Sequence, residues 1–202
     1  MSKLSNAKTF GGIGALLMLI GLFISTFGVI FIIGLILVFI AIKYIADETN
    51  DHKIFDNFLY FFVCHIIIVG VFVGFAIFSL STIDITNITQ IAENITDFSS
   101  FWAEFGTLIT GCLLSLVIAW ILTIIGALFL RKSFNGITEH TKVDMFKTTA
   151  LVYLIGAATL IIIIGALILL IALILEIVAF FSLPDNLPTK TAEAPPTVEA
   201  PQ

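Results

Sequence analysis

Three ionisable side chains stand inside long apolar runs of this sequence: Lys43, His65 and Glu176. Charge within a membrane helix is costly, rare and by default a mark of function, so chemistry is sought at these residues first. Lys43 lies near the end of its run, where a lysine commonly snorkels to the interface with its stem along apolar surface. Glu176 lies eight residues before Pro184, ~12 Å along a helix. With both ends on one side of a membrane, Lys43 and Glu176 reach similar depth and pair, as a structural ion pair rather than an ion-transport step. His65 sits beside Cys64, about ten residues into its run. A neutral imidazole bonded to a nearby carbonyl is the common fate of a buried histidine; a proton relay or a metal ligand is the sharper reading. A metal requires more ligands at that depth, and His52 and His140 fall in polar linkers.

Other reactive groups are fewer. Cys64 and Cys112 both lie in apolar segments and form no C-x-x-C, so neither a zinc ribbon nor a redox pair is expected. Their depths, near opposite sides of the bilayer, exceed the ~7 Å Cα separation a disulfide tolerates. Asn87-Ile-Thr89 and Asn94-Ile-Thr96 are two N-x-Thr sequons in one polar loop. They are glycosylation acceptors only if that loop faces outward. No cofactor or metal is called for, and the singles are too scattered to suggest an enzyme.

The elements that must position these residues are membrane helices. The chain is 59% hydrophobic and 11% charged, with mean hydropathy +1.17, against roughly 45–50% and ~25% in soluble domains. The net charge of −5 includes no basic stripe for nucleic acid. Expected partners are the lipid bilayer and, at a packing face, a second copy of the chain or another membrane protein. The fold class is all-α: a polytopic membrane helix bundle of five or six transmembrane helices.

Helices are expected at about 9–24, 28–46, 55–80, 101–130, 148–164 and 165–183. The run Phe10–Ile42, 33 residues long, overshoots a ~30 Å core and splits at Ser25-Thr26-Phe27-Gly28. No small-x-small site follows its first half, so an uncleaved hairpin is expected. Asp144 stands where it caps the next helix. Thr148–Leu183, 36 residues with only Glu176 charged, is one long helix or a hairpin turning at Gly165. Residues 184–202, rich in Pro, Thr, Ala and Glu, are expected to be disordered.

Along 101–130 every fourth residue is small: Thr107, Gly111, Ser115, Ala119, Thr123, Ala127. Positions four apart share a helix face, so this helix carries a groove into which another helix packs closely. Gly70-Val-Phe-Val-Gly74 is a G-x-x-x-G in the preceding helix and the expected counterpart. Gly70, Gly74, Gly111, Ser115 and Ala119 are thus the expected packing residues.

Lysine and arginine orient the bundle. Lys3 and Lys8, Lys43 and Lys53, and Arg131, Lys132, Lys142 and Lys147 make eight of nine basic residues. All fall on one side if the N-terminus is cytoplasmic and the helices alternate. The ninth, Lys190, joins them if there are six helices, which the sequence slightly favours.

Ser5-Asn-Ala-Lys-Thr-Phe-Gly-Gly-Ile-Gly14, the stretch Gly34 to Asp47, Arg131-Lys-Ser-Phe134 and Ala179-Phe-Phe-Ser-Leu-Pro184 together resemble an uncharacterised family of archaeal multi-pass membrane proteins, a domain of unknown function. The resemblance covers roughly residues 5–184. It implies a membrane localisation and brings no activity or site residues. Some similar proteins append a cysteine-rich zinc ribbon after the Pro-rich tail. This tail reaches Gln202 without cysteine, and such a ribbon suits a cytoplasmic tail and six helices.

Two functions follow. A structural or regulatory packing module fits the small-residue faces and the sparse chemistry. A small transporter or channel requires a polar path near His65 and Glu176.

Overall fold

In a hydrocarbon core the backbone finds no water, so each apolar run closes its own hydrogen bonds as a helix. The computed structural model describes residues 3–23, 28–82, 97–162 and 164–188, and no strand occurs among them. The helices are α1 (Lys3–Phe23), α2 (Gly28–Thr49), α3 (His52–Thr82), α4 (Phe98–Thr141), α5 (Met145–Ala158) and α6 (Ile164–Phe181). Each packs on its neighbours in the chain and α6 packs back on α1, which closes a ring of six.

The ring is antiparallel throughout, as its pairings show. Phe10 of α1 stacks on Tyr44 near the end of α2, with centroids 6.0 Å apart. Phe39 of α2 meets Phe55 and Phe62 of α3 at 5.0 and 5.2 Å. The Ser133 hydroxyl on α4 donates to the Ile54 carbonyl at the start of α3, 2.7 Å away. Phe134 of α4 packs edge-on against Phe146 of α5, and Phe146 against Phe180 of α6. All eight basic residues among the described ones therefore lie at one end, the end where α1 begins and α6 finishes.

That basic end holds the core. Phe58, Phe134, Phe146, Phe180, Ile42, Ile45 and Leu183 are each less than 2% exposed and belong to one cluster. Burial of a phenylalanine contributes roughly 1.5–3 kcal/mol. The opposite end is looser. Beyond Trp120, α4 has 22 more residues toward Phe98, ~33 Å at 1.5 Å per residue, and it projects together with the end of α3 past the other four helices.

Most helices begin or end a few residues outside their expected limits, but α4 differs by a full three turns. It does not stop at Arg131-Lys132. No breaker intervenes until Lys142, which takes the left-handed conformation (φ 60°) and donates its N–H to the Thr138 carbonyl. At its other end Asp97 closes a capping box with Ser100. The Ser100 N–H donates to the Asp97 carboxylate at 2.8 Å and the Ser99 hydroxyl at 2.9 Å, which holds that carboxyl below the usual range. The expected cap, Asp144, does occupy the N-cap position just before α5 but makes no side-chain cap bond.

Between 148 and 183 the chain forms a hairpin, not one long helix. α5 has 14 residues, ~21 Å, short of a ~30 Å core. Five helices among the described residues are long and apolar enough to cross a membrane; α5 completes the ring as a shorter sixth. The turn comes before Gly165 rather than at it. Gly165 is needed there because the backbone of Thr159 and Leu160 occupies the space a Cβ would take. Trp120 on α4 holds the turn: its Nε1–H reaches the carbonyls of Ala157 and Ala158 at 3.1 and 3.3 Å.

Candidate functional site

Above the aromatic layer the ring borders a half-open chamber of about 750 Å³ to which all six helices contribute. Its walls are apolar: Met18 from α1, Phe31 and Leu35 from α2, Ile68 from α3, Leu170 from α6. Leu22, Phe23 and Leu167, at 58%, 72% and 60% exposure, stand at its mouth. Its floor holds the only ionisable side chains in the lining, His65, Tyr153 and Glu176.

Each of these comes from a different helix. His65 on α3 places Nδ1 2.9 Å from the Phe61 carbonyl, one turn back. A carbonyl only accepts, so Nδ1 carries the proton. In the neutral ring Nε2 then accepts, and its partner at 3.0 Å is the hydroxyl of Tyr153 on α5, which donates. Phe61 packs on the His65 ring at 4.3 Å and on Tyr153 at 5.6 Å, so the pair is fixed by packing as well as by bonding. Glu176 on α6 is 8% exposed and within electrostatic reach of Tyr153. Among the described residues it has no cationic partner.

Two of the three sequence-selected polar residues are thus brought together, and the third is not. Lys43 is exposed on α2 while Glu176 is buried, and no ion pair links them, so the expected Lys43–Glu176 pairing is corrected. The side chain of Lys43 escapes to the rim of the basic end, the cheaper solution for a helix-end lysine. Tyr153 was not selected by sequence. The available signal was a phenol inside an apolar run, because a buried tyrosine hydroxyl needs a partner.

The packing residues divide as well. On α4, Ser115, Ala119, Thr123 and Ala127 are buried, whereas Thr107 is exposed and Gly111 half-buried. Ser115 and Thr123 return their hydroxyls to the carbonyls of Gly111 and Ala119 and expose no polar path. The groove is filled by large side chains: Phe75 lies 3.0 Å from where a Cβ on Gly111 would stand, and Cys64, Phe61 and His65 lie 3.5–3.6 Å from that point on Gly126. Gly70 and Gly74 are exposed with nothing within 4 Å of an added Cβ, which corrects their expected role as the counterpart. Their face of α3 points away from α4. Close backbone approach occurs instead between α1 and α2, where a Cβ on Gly14 would stand 2.7 Å from the Gly34 carbonyl oxygen.

Both cysteines are free, Cys64 buried and Cys112 exposed. His140 bonds the Gly136 carbonyl one turn back at 2.9 Å. No group of three His, Cys, Asp or Glu converges to hold a metal among the described residues. The sequons at Asn87 and Asn94, and the tail from residue 189, lie outside the described residues.

Residues 29–174 match a family described as "Protein of unknown function (DUF996)". An uncharacterized protein of Methanocaldococcus jannaschii is 35% identical over 188 residues, covering 92% of this chain and 96% of that one. No solved structure matches. The matched span runs from Val29 in α2 to Ile174 in α6 and so contains both His65 and Tyr153: the chain belongs to the DUF996 family of proteins of unknown function.

Proposed function

We propose that the protein is a non-enzymatic regulatory module of the cell membrane whose helix packing serves to build one binding chamber. The observation that carries this is the chamber itself, ringed by six helices, about 750 Å³ in volume and of a size that holds small molecules elsewhere. A bundle that only needed to pack would gain from filling that space, since an unfilled cavity lowers stability in proportion to its volume. The basic end is oriented to the cytoplasm by its lysines and arginines, so the mouth opens toward the outer leaflet.

A second reading, a small transporter, is favoured by the position of His65 and Glu176 between the chamber and the basic end. Against it stands the layer of Phe58, Phe134, Phe146 and Phe180 beneath them, each less than 2% exposed. Passage requires that layer to open, whereas binding does not.

The test is occupancy. Purified protein in a neutral detergent is titrated with dodecanol and examined by native mass spectrometry. A saturable one-to-one adduct is expected, and Leu35→Trp or Ala166→Trp, which place an indole in the chamber, should abolish it. An adduct unaffected by either substitution, or none at all, removes the chamber as the seat of function. Flux of a small cation across vesicles containing the protein would favour the transporter instead.

A further inference from the structure

The floor of the chamber is incomplete in one specific way. His65 and Tyr153 satisfy each other: Nδ1–H goes to the Phe61 carbonyl and the Tyr153 hydroxyl proton to Nε2. The phenol proton is therefore directed away from Glu176. Glu176 lines the chamber, is only 8% exposed, and receives no hydrogen bond and no cation from any described residue. Lys43, the lysine that sequence reasoning paired with it, is exposed at the rim. A carboxyl in an apolar enclosure either holds its proton or pairs with a cation, and no described residue supplies that cation.

The surroundings narrow what can supply that charge. A bare metal ion would need further oxygen or nitrogen ligands, and no such cluster exists among the described residues. An anion or zwitterion would set a negative group against Glu176 or against apolar walls. A sugar would find no hydrogen-bonding partners on Leu22, Phe31, Leu35 or Leu170. A single ammonium attached to an apolar body meets every condition. Its N–H groups go to Glu176, its charge lies near the rings of Phe58, Phe61 and Tyr153, which attract cations, and its body fills the walls.

We propose that the chamber binds a lipophilic ammonium compound, with the cation on Glu176 and the apolar body directed toward the mouth at Leu22 and Leu167. This rests on the reading of the chamber as a binding site.

Dodecylammonium and dodecanol, which share their chain and differ in head-group charge, separate the two claims. Purified wild-type protein, Glu176→Gln and Glu176→Asp are titrated with each near neutral pH, where a primary amine is protonated, and adducts are counted by native mass spectrometry. The wild type should bind dodecylammonium roughly tenfold or more tightly than dodecanol, the size expected of a desolvated charge contact. Glu176→Gln should lose the preference while still binding dodecanol, and Glu176→Asp, which keeps the charge, should retain most of it. Equal affinity for the two compounds in wild type, or an undiminished preference in Glu176→Gln, overturns the ammonium assignment and leaves the chamber intact as an apolar site. Failure of both compounds to bind overturns the chamber and the ammonium assignment together. Should Glu176→Gln not fold, the wild-type comparison and Glu176→Asp still decide: a preference that is absent in wild type, or that vanishes with the charge retained, rejects the assignment.

Discussion

The hydroxyl of Tyr153 donates to Nε2 of His65 at 3.0 Å, joining helices α5 and α3 across 88 residues of sequence. These two helices are not neighbours in the ring; α4 lies between them in the chain. The bond therefore crosses the bundle and fixes the imidazole tautomer at the chamber floor. Tyr153→Phe keeps the ring packed on Phe61 but leaves Nε2 without its donor. Hydrogen bonds between membrane helices contribute ~0.6 kcal/mol on average and up to ~1.7. A double-mutant cycle of Tyr153→Phe with His65→Leu should return a coupling of about 1 kcal/mol in detergent unfolding. Strict additivity would show that the two groups do not interact.

Orientation is testable with single cysteines in a background lacking Cys64 and Cys112. Glu139→Cys lies at the basic end and Ser99→Cys at the opposite end of the same helix, about 40 residues away, or ~60 Å at 1.5 Å per residue. They should react with an impermeant maleimide from opposite sides of the membrane. Asn186→Cys should label with Glu139→Cys, because the hairpin of α5 and α6 returns the chain to the basic end. Labelling of Asn186→Cys from the side of Ser99→Cys would require a different path for residues 145–181.

Much of this architecture is legible in the sequence. Apolar run length places helices reliably, because hydrocarbon leaves the backbone no alternative to self-pairing. The lysine and arginine pattern likewise places all eight described basic residues at one end. Pairing was legible only in part. Every fourth residue being small marked the buried face of α4 but not what fills it, since a groove accepts a phenylalanine as readily as a glycine. Gly70 and Gly74 form a G-x-x-x-G that packs on nothing, whereas Gly14 and Gly34 stand on separate helices without that motif and nearly touch; nothing local distinguishes a glycine facing lipid from one facing a helix. The chamber was invisible, because it is made by residues from six helices. His65 and Glu176 could be selected one by one, but their meeting with Tyr153 depends on how α3 and α5 pack on α4, and α6 on α5.

The turn between α5 and α6 depends on Trp120. Its indole N–H bonds the carbonyls of Ala157 and Ala158 at the end of α5, where the last carbonyls lack the usual partner one turn on; that of Ala157 also accepts from the Leu160 N–H at 3.4 Å. Trp120→Phe preserves most of the packing and removes the donor. A loss of roughly 0.5–1.5 kcal/mol is expected. The more specific readout is local: amides from Thr159 to Ile162 should exchange hydrogen faster in the variant, while those of α1 and α2 stay unchanged. Uniform acceleration across the protein would mean that Trp120 supports global stability only and does not hold the turn.

Glycine substitution gives the sharpest contrast. Gly14 and Gly34 face each other where α1 and α2 nearly touch, and a Cβ on Gly14 would meet the Gly34 carbonyl oxygen at 2.7 Å and the Val38 nitrogen at 2.9 Å. These are backbone atoms and cannot rotate away, so the helices must separate. Overpacking of this kind typically costs ~1–3 kcal/mol. Gly70 and Gly74 meet nothing, and alanine there should stabilise α3 slightly, since glycine lowers helix stability by up to ~1 kcal/mol relative to alanine. The double variant Gly14→Ala with Gly34→Ala should therefore melt well below wild type, and Gly70→Ala with Gly74→Ala at or above it. The two effects have opposite sign, so detergent destabilisation common to all variants cannot imitate the result. Should the Gly70 and Gly74 variant instead be the less stable, that face of α3 would be covered by a second copy of the chain, and the melting temperature of wild type would rise with protein concentration.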